Sequence, residues 1–285
     1  MMYTPYMYTP YITNKLIYYY QEFKPLKPLI EKKFSDIYIY ISSVHFGKSS
    51  DNTPYIHIND NLPNNQNDLW DIVKDASNHN ITIMLMIGGA GGAYGALFSD
   101  FETYYKLLFD LITQYSDIIK GVDLDIEEYT DLLKVRMLID RLSYDFGNEF
   151  IITMAPIAPS MYTDENGMGG FSYKDLYNSQ EGQRINWFNV QCYGDYTFDI
   201  YQSIIKNGYP ANKIVFGMLG DNYNTESFKH ALTEIDNVKT LYPDMGGCVL
   251  WEYSDTKIDP IIWGVEIYKI FNQSPTLLDW VCNIQ

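Results

Sequence analysis

Eight short apolar runs, separated by segments of helical periodicity, most narrow the folds open to this chain of 285 residues. The runs are "KLIYYYQ" (15–21), "DIYIYISSV" (36–44), "ITIMLMIGG" (81–89), "GVDLDIE" (121–127), "FIITMAPIA" (150–158), "WFNVQCY" (187–193), "KIVFGML" (213–219) and "GCVLWEY" (247–253). Buried strands alternating with helices predict an α/β protein with a parallel sheet, and eight of them predict a single (β/α)8 TIM barrel. A doubly wound sheet normally uses fewer strands. No Pro/Gly/Ser-rich linker interrupts the alternation, so one barrel domain is expected over 13–285. An extended arm is expected over 1–12, where "MYTPYMYTPY" writes a five-residue unit twice.

Helix punctuation supports this division. "SDFETYYKLLFDLITQYSD" opens with Ser99 and Glu102 at capping-box spacing. "TDLLKVRMLIDRLSYDFG" runs from a Thr130 or Asp131 cap to Gly147 as its C-terminal stop. "TESFKHALTEIDNVKTLYP" fills the stretch before the last strand, and "PIIWGVEIYKIFNQ" follows it.

The fourth run has an unusual pattern. Asp123, Asp125 and Glu127 alternate with Val122, Leu124 and Ile126, so on a strand the acids share one face and the aliphatics the other. In a barrel the aliphatics face the helices and the acids face the axis. Glu127 then lies at the C-terminal end, where barrel enzymes place their sites. The carboxylates stand about 7 Å apart and repel one another. The other runs carry only Lys15 and Lys213, both at strand starts, and no arginine to neutralise them.

Composition excludes some partners. The formal net charge is −16, with 36 acidic residues against 20 Lys plus Arg, which disfavours nucleic acid and anionic membranes. No stretch is long and apolar enough to span a bilayer. The N-terminus lacks a signal-peptide pattern, so the chain reads as a cytoplasmic monomer, or as secreted where a signal has been removed. Cys192, Cys248 and Cys282 are too scattered for a disulfide framework or a zinc site. Three carboxylates along one strand converge poorly on a metal ion, and His45, His57, His79 and His230 are scattered. Nucleophile-elbow and phosphate-loop motifs are missing, so no metal or cofactor is expected.

Two acids near a barrel mouth suggest glycoside hydrolysis, which uses a carboxyl pair flanking the bond. Here Asp125 and Glu127 project in parallel from one strand, so neither readily attacks the face opposite the other. A 2-acetamido group on the sugar can supply the nucleophile instead. The segment "GVDLDIE" resembles the D-G-x-D-x-D-x-E signature of family 18 glycoside hydrolases, a substrate-assisted group of chitinases and endo-β-N-acetylglucosaminidases. "MLMIGGAGGAY" is similar to that family's third-strand turn, "TMAPIAP" to its fifth-strand segment and "GGCVLWEYSD" to its eighth-strand tryptophan segment. "VQCYGD" resembles the sixth-strand V-Q-x-Y of plant class III chitinases.

The resemblance implies roles. Glu127 is the general acid, and Asp125, relayed by Asp123, orients the acetamide and stabilises the oxazolinium ion. Tyr193 hydrogen-bonds the acetamide carbonyl, Gln191 helps hold the sugar, Trp251 floors the pyranose, and Met154 of the fifth-strand segment joins the substrate-binding set. Two residues depart from the pattern. Lys120 replaces the first acid and points outward, while Met86 replaces a serine facing Asp123, which predicts an incomplete hydrogen-bond network there. Asp123 and Asp125 are expected to share a proton, with Glu127 kept protonated. Residues 220–246 leave no room for the small α+β domain that some family members insert, so an open groove is expected. The implied activity is chitinase-type endo-hydrolysis of a glycan containing N-acetylglucosamine. Cleavage of N-glycans is the alternative, and a glycan-binding lectin on an inactive barrel is the alternative from another class. Lectins of this family commonly lose the acid, whereas Glu127 is present.

Overall fold

A computed structural model describes residues 14–273. The expected arm over 1–12, its boundary and Cys282 lie outside the described residues. Among the described residues nine strands form in order: β1 (Lys15–Tyr20), β2 (Ile37–Lys48), β3 (Pro54–Ile58), β4 (Thr82–Gly88), β5 (Ile119–Asp125), β6 (Ile151–Met154), β7 (Trp187–Gln191), β8 (Ile214–Leu219) and β9 (Gly247–Trp251). All except β3 pair in parallel, and β1 pairs with both β2 and β9, closing an eight-stranded barrel. Helices between the strands cover its outside, as the alternation predicted. The expected single (β/α)8 barrel is the fold.

Strand β3 is an addition to the expected set. It pairs antiparallel with the far end of β2, from Val44 opposite Ile58 to Lys48 opposite Pro54. The polar stretch between the two strands supplies the turn, and Asn52 takes a positive φ there.

Side chains divide by strand parity. Val122, Leu124 and Ile126 are buried in the large core between sheet and helices. A second cluster fills the barrel interior, including Tyr19, Tyr40, Met84, Met86, Trp187 and Val249. The Tyr19 and Tyr40 rings meet edge to face at 5.3 Å, so large aromatics pack the barrel interior.

Of the two helix starts the sequence marks, one forms as expected and one does not. Asp131 caps Leu132–Phe146 by accepting from the Leu133 N–H, and Gly147 ends that helix with φ 80°. Asn224 and Ser227 form a reciprocal capping box at Thr225–Leu241. The Ser99/Glu102 box does not form. Ser99 instead ends a preceding short helix, Tyr94–Ser99, and its hydroxyl donates to the Ala96 carbonyl. Glu102 pairs with Arg141.

The turn leaving β4 controls the site above it. Gly88 has φ 98° and Gly89 φ 80°, a region that L side chains avoid. A Cβ on Gly88 would lie 2.3 Å from the Asp125 carbonyl oxygen. The Gly89 N–H donates to that same oxygen at 2.9 Å. Glycine therefore lets the β4 turn press against the end of β5. Gly88→Ala should cost about 2 kcal/mol and lower the melting temperature by about 4–8 °C. Thermal unfolding by circular dichroism checks this, and an unchanged midpoint contradicts the close-approach argument.

Candidate active site

The acid row on β5 enters the barrel as its parity requires. Asp123 is fully buried (0% exposed), Asp125 is 3% exposed, and Glu127 is half-buried just beyond the strand. Asp123 accepts three hydrogen bonds from neutral donors. The Tyr19 hydroxyl of β1 reaches Oδ2 at 2.7 Å, while Thr153 Oγ1 of β6 and Asn189 Nδ2 of β7 reach Oδ1 at 2.5 and 2.9 Å. Trp187 Nε1 in turn holds Asn189 Oδ1 at 3.1 Å. The network is therefore full, against the expectation from Met86. Met86 lies beside Asp123 in the β4–β5 register and packs with the interior apolar residues. Donors from three other strands complete the network.

Burial pushes the Asp123 carboxyl up to about 6, and its three donors hold it down from a larger rise. Asp125 is raised well above the ordinary carboxylate range by burial first, then by the charges of Glu127 and Asp123. Gln191 Nε2 opposes this rise by donating to Asp125 Oδ1 at 3.1 Å. The same nitrogen lies 3.2 Å from Glu127 Oε1 and 2.9 Å from the Ala155 carbonyl. One amide thus bridges the two outer acids and fixes their side of the barrel mouth.

Tyr193 follows β7, with its backbone carbonyl held by Asn222 Nδ2 at 3.1 Å. Its phenol is raised by burial and by the charges of Asp125, Glu127 and Asp123, so it remains a donor at neutral pH. Trp251 at the end of β9 is half-buried, and its ring lies 4.9 Å from that of Tyr19. A cavity of about 160 Å³ adjoins Gln191 and Tyr193, with Tyr162 and Asp195 also in its wall.

Met154 does not join this group. It pairs in register with Leu124, and both side chains lie in the core between sheet and helices. The inward residue at this level is Thr153, opposite Asp123. Strand parity therefore removes Met154 from the substrate-binding set. Lys120 is exposed, as expected, and its amine bonds the Ser116 carbonyl at 2.9 Å.

The chain matches no protein-family profile and no curated protein sequence. Solved structures are similar to it over almost their whole length. A fungal endo-β-N-acetylglucosaminidase from glycosyl hydrolase family 18 has a TM-score of 0.80 at 27% identity, covering 90% of this chain and 98% of that one. Chitinase ChiC from Aspergillus fumigatus has a TM-score of 0.76 at 27% identity, covering 94% and 97%. These likenesses support glycoside hydrolase family 18 for this barrel. A hyperthermophilic chitinase catalytic domain from Pyrococcus furiosus shares the fold at a TM-score of 0.67 and 14% identity, covering 93% and 98%.

One residue of this barrel escaped the sequence reading. Glu128 turns away from the acid row and accepts from the backbone N–H groups of Ala93 and Tyr94, at the start of helix Tyr94–Ser99. A carboxylate at a helix start is favoured by the N–H groups that lack partners there. The loop before that helix is also held by His45, whose Nδ1 lies 2.7 Å from the Gly92 carbonyl and whose Nε2 lies 3.0 Å from Ser43 Oγ. The Glu127–Glu128 pair reads as two acids in sequence, yet only tertiary contacts separate their roles.

The buried Asp123 carries a pH dependence of stability. Its pKa is about 6 folded and 3.8 as the ordinary value, so ionisation opposes folding. Its favourable contribution is present below about pH 4 and is lost as pH rises through about 6. The difference corresponds to about 3 kcal/mol. Relative to wild type, Asp123→Asn should gain about that much between pH 4 and pH 7.5, measured by urea unfolding. A pH-independent difference would remove Asp123 as its source.

Proposed function

We propose that this family 18 enzyme is a retaining, substrate-assisted endo-glycosidase acting on bonds between N-acetylglucosamine units. The observation that carries the reading is the Gln191 amide held between Asp125 and Glu127. It keeps both carboxyls on one wall of the mouth, where they face a sugar from the same side. That arrangement suits a reaction whose nucleophile belongs to the substrate.

Glu127 gives its proton to the glycosidic oxygen as the bond to C1 breaks. The acetamide carbonyl oxygen bonds to C1 from the other face and forms an oxazolinium ion. Asp125 accepts the acetamide N–H and balances the charge that develops on it, with Asp123 beneath it. The Tyr193 hydroxyl donates to the acetamide oxygen and orients it for attack. Trp251 lies under the pyranose as an apolar floor. Glu127, now a carboxylate, takes a proton from water, which adds to C1 and reopens the acetamide. Two displacements at C1 retain the β configuration.

Chitin-type β-1,4 chains are the first substrate. Residues 220–246 between β8 and β9 are mostly helix Thr225–Leu241 and short turns, so no inserted domain walls the groove there. The similarity to a fungal endo-β-N-acetylglucosaminidase favours a second reading, cleavage within the N-glycan core. Incubation with chitin oligosaccharides and with high-mannose N-glycans, followed by mass analysis of products, separates the two.

Glu127→Gln should lower kcat by at least 10²–10⁴-fold while oligosaccharide binding persists, because the amide keeps the shape without a proton to give. Wild-type turnover in that variant would remove Glu127 as the acid. Oligomers with free amines at the cleaved position should resist hydrolysis there. Equal rates on acetylated and deacetylated oligomers would mean that the nucleophile belongs to the enzyme.

A further inference from the structure

Tyr129 stands two residues beyond Glu127, no more than about 7 Å further along the chain, and is 83% exposed. Its ring is nevertheless placed against backbone. Gly170, at φ 76°, sits beneath it, and a Cβ there would come within 2.6 Å of the ring. The neighbouring Gly169 carbonyl accepts from the Thr130 N–H at 2.9 Å, which joins the two segments. One side of the tyrosine is thus backed by glycine while most of its surface faces solvent.

Beside it lies a cavity of about 350 Å³, between helix Tyr94–Ser99 and the start of helix Leu132–Phe146. Its wall includes Tyr129, Asp131, Lys134, Gly95 and Phe98. The Lys134 amine sits 5.7 Å from the centre of the Phe98 ring. Glu128, by holding the Ala93 and Tyr94 N–H groups, fixes one wall to the residue next to the acid. A Cβ on Gly95 would come within 3.0 Å of the Glu128 carboxylate, so glycine also keeps this junction close.

The lining chemistry selects the ligand. Charges of both signs disfavour a simple anion or cation and suit a neutral molecule rich in hydroxyls. An exposed, backed aromatic ring suits a flat apolar face at low entropic cost. The size suits one small ring rather than a peptide. We propose that this cavity is an accessory saccharide site, which takes a pyranose unit of the same glycan outside the barrel mouth. The choice of glycan rests on the proposed function. The site itself rests on Tyr129, Asp131 and Lys134.

The test uses Glu127→Gln protein, calorimetry, and the dimer and hexamer of N-acetylglucosamine as probes. Adding Tyr129→Ala should weaken hexamer binding about tenfold while dimer affinity stays within about twofold. Tyr129→Phe should keep tight hexamer binding, because the ring face remains. Unchanged hexamer affinity in Tyr129→Ala, an equal loss for both probes, or no hexamer binding at all would overturn the site. Wild-type turnover of the hexamer is assayed in parallel. A protein that cleaves no oligomer yet loses hexamer affinity with Tyr129→Ala would end the hydrolytic reading and leave the saccharide site standing.

Discussion

A buried carboxylate held by neutral donors anchors the interior of this barrel. Asp123 loses its water entirely, which costs several kcal/mol unless hydrogen bonds replace it. The replacements come from Tyr19, Thr153 and Asn189, each on a different strand. Any change in the relative register of β1, β5, β6 and β7 would leave that oxygen pair unsatisfied. The acid therefore penalises misregistered barrels more strongly than an aliphatic residue at the same position could. Asp125 and Glu127 inherit their positions from it, since they follow on the same face of the same strand.

Much of this architecture was legible from periodicity. The eight runs became the eight parallel strands because each keeps an unbroken apolar face toward the helices, and most are apolar on the inner face as well. The direction of the acid row followed from alternation alone. The same rule, counted from Leu124 across to β6, places Met154 outside; a motif match does not carry the register that decides this. The donors to Asp123 were hidden for a related reason. Tyr19, Thr153 and Asn189 sit in runs that read as ordinary core, and pairing between distant strands gives them their task. Helix capping failed at Ser99 because a short helix before it had already taken that residue. The β2–β3 hairpin was missed because its second strand is only five residues long and opens on a proline.

The chain keeps a TM-score of 0.80 to a solved family 18 structure at 27% identity. Closure of a barrel requires apolar alternation, a few glycines where backbones meet, and compatible volumes inside, which many sequences supply. The polar interior is less permissive. Gly88 and Gly89 stand where the backbone of β4 meets that of β5, and the acid row stands beside them. These few residues, rather than the bulk of the core, tie the fold to a particular chemistry.

The amide of Gln191 has a further consequence. Its nitrogen carries two hydrogens but faces three acceptors: Asp125, Glu127 and the Ala155 carbonyl. The three compete for those two hydrogens. A ligand that brings its own N–H to Asp125 ends the competition, because the two hydrogens then suffice for the two acceptors that remain. Gln191 thus makes occupancy at one acid felt at the other without any movement of the backbone.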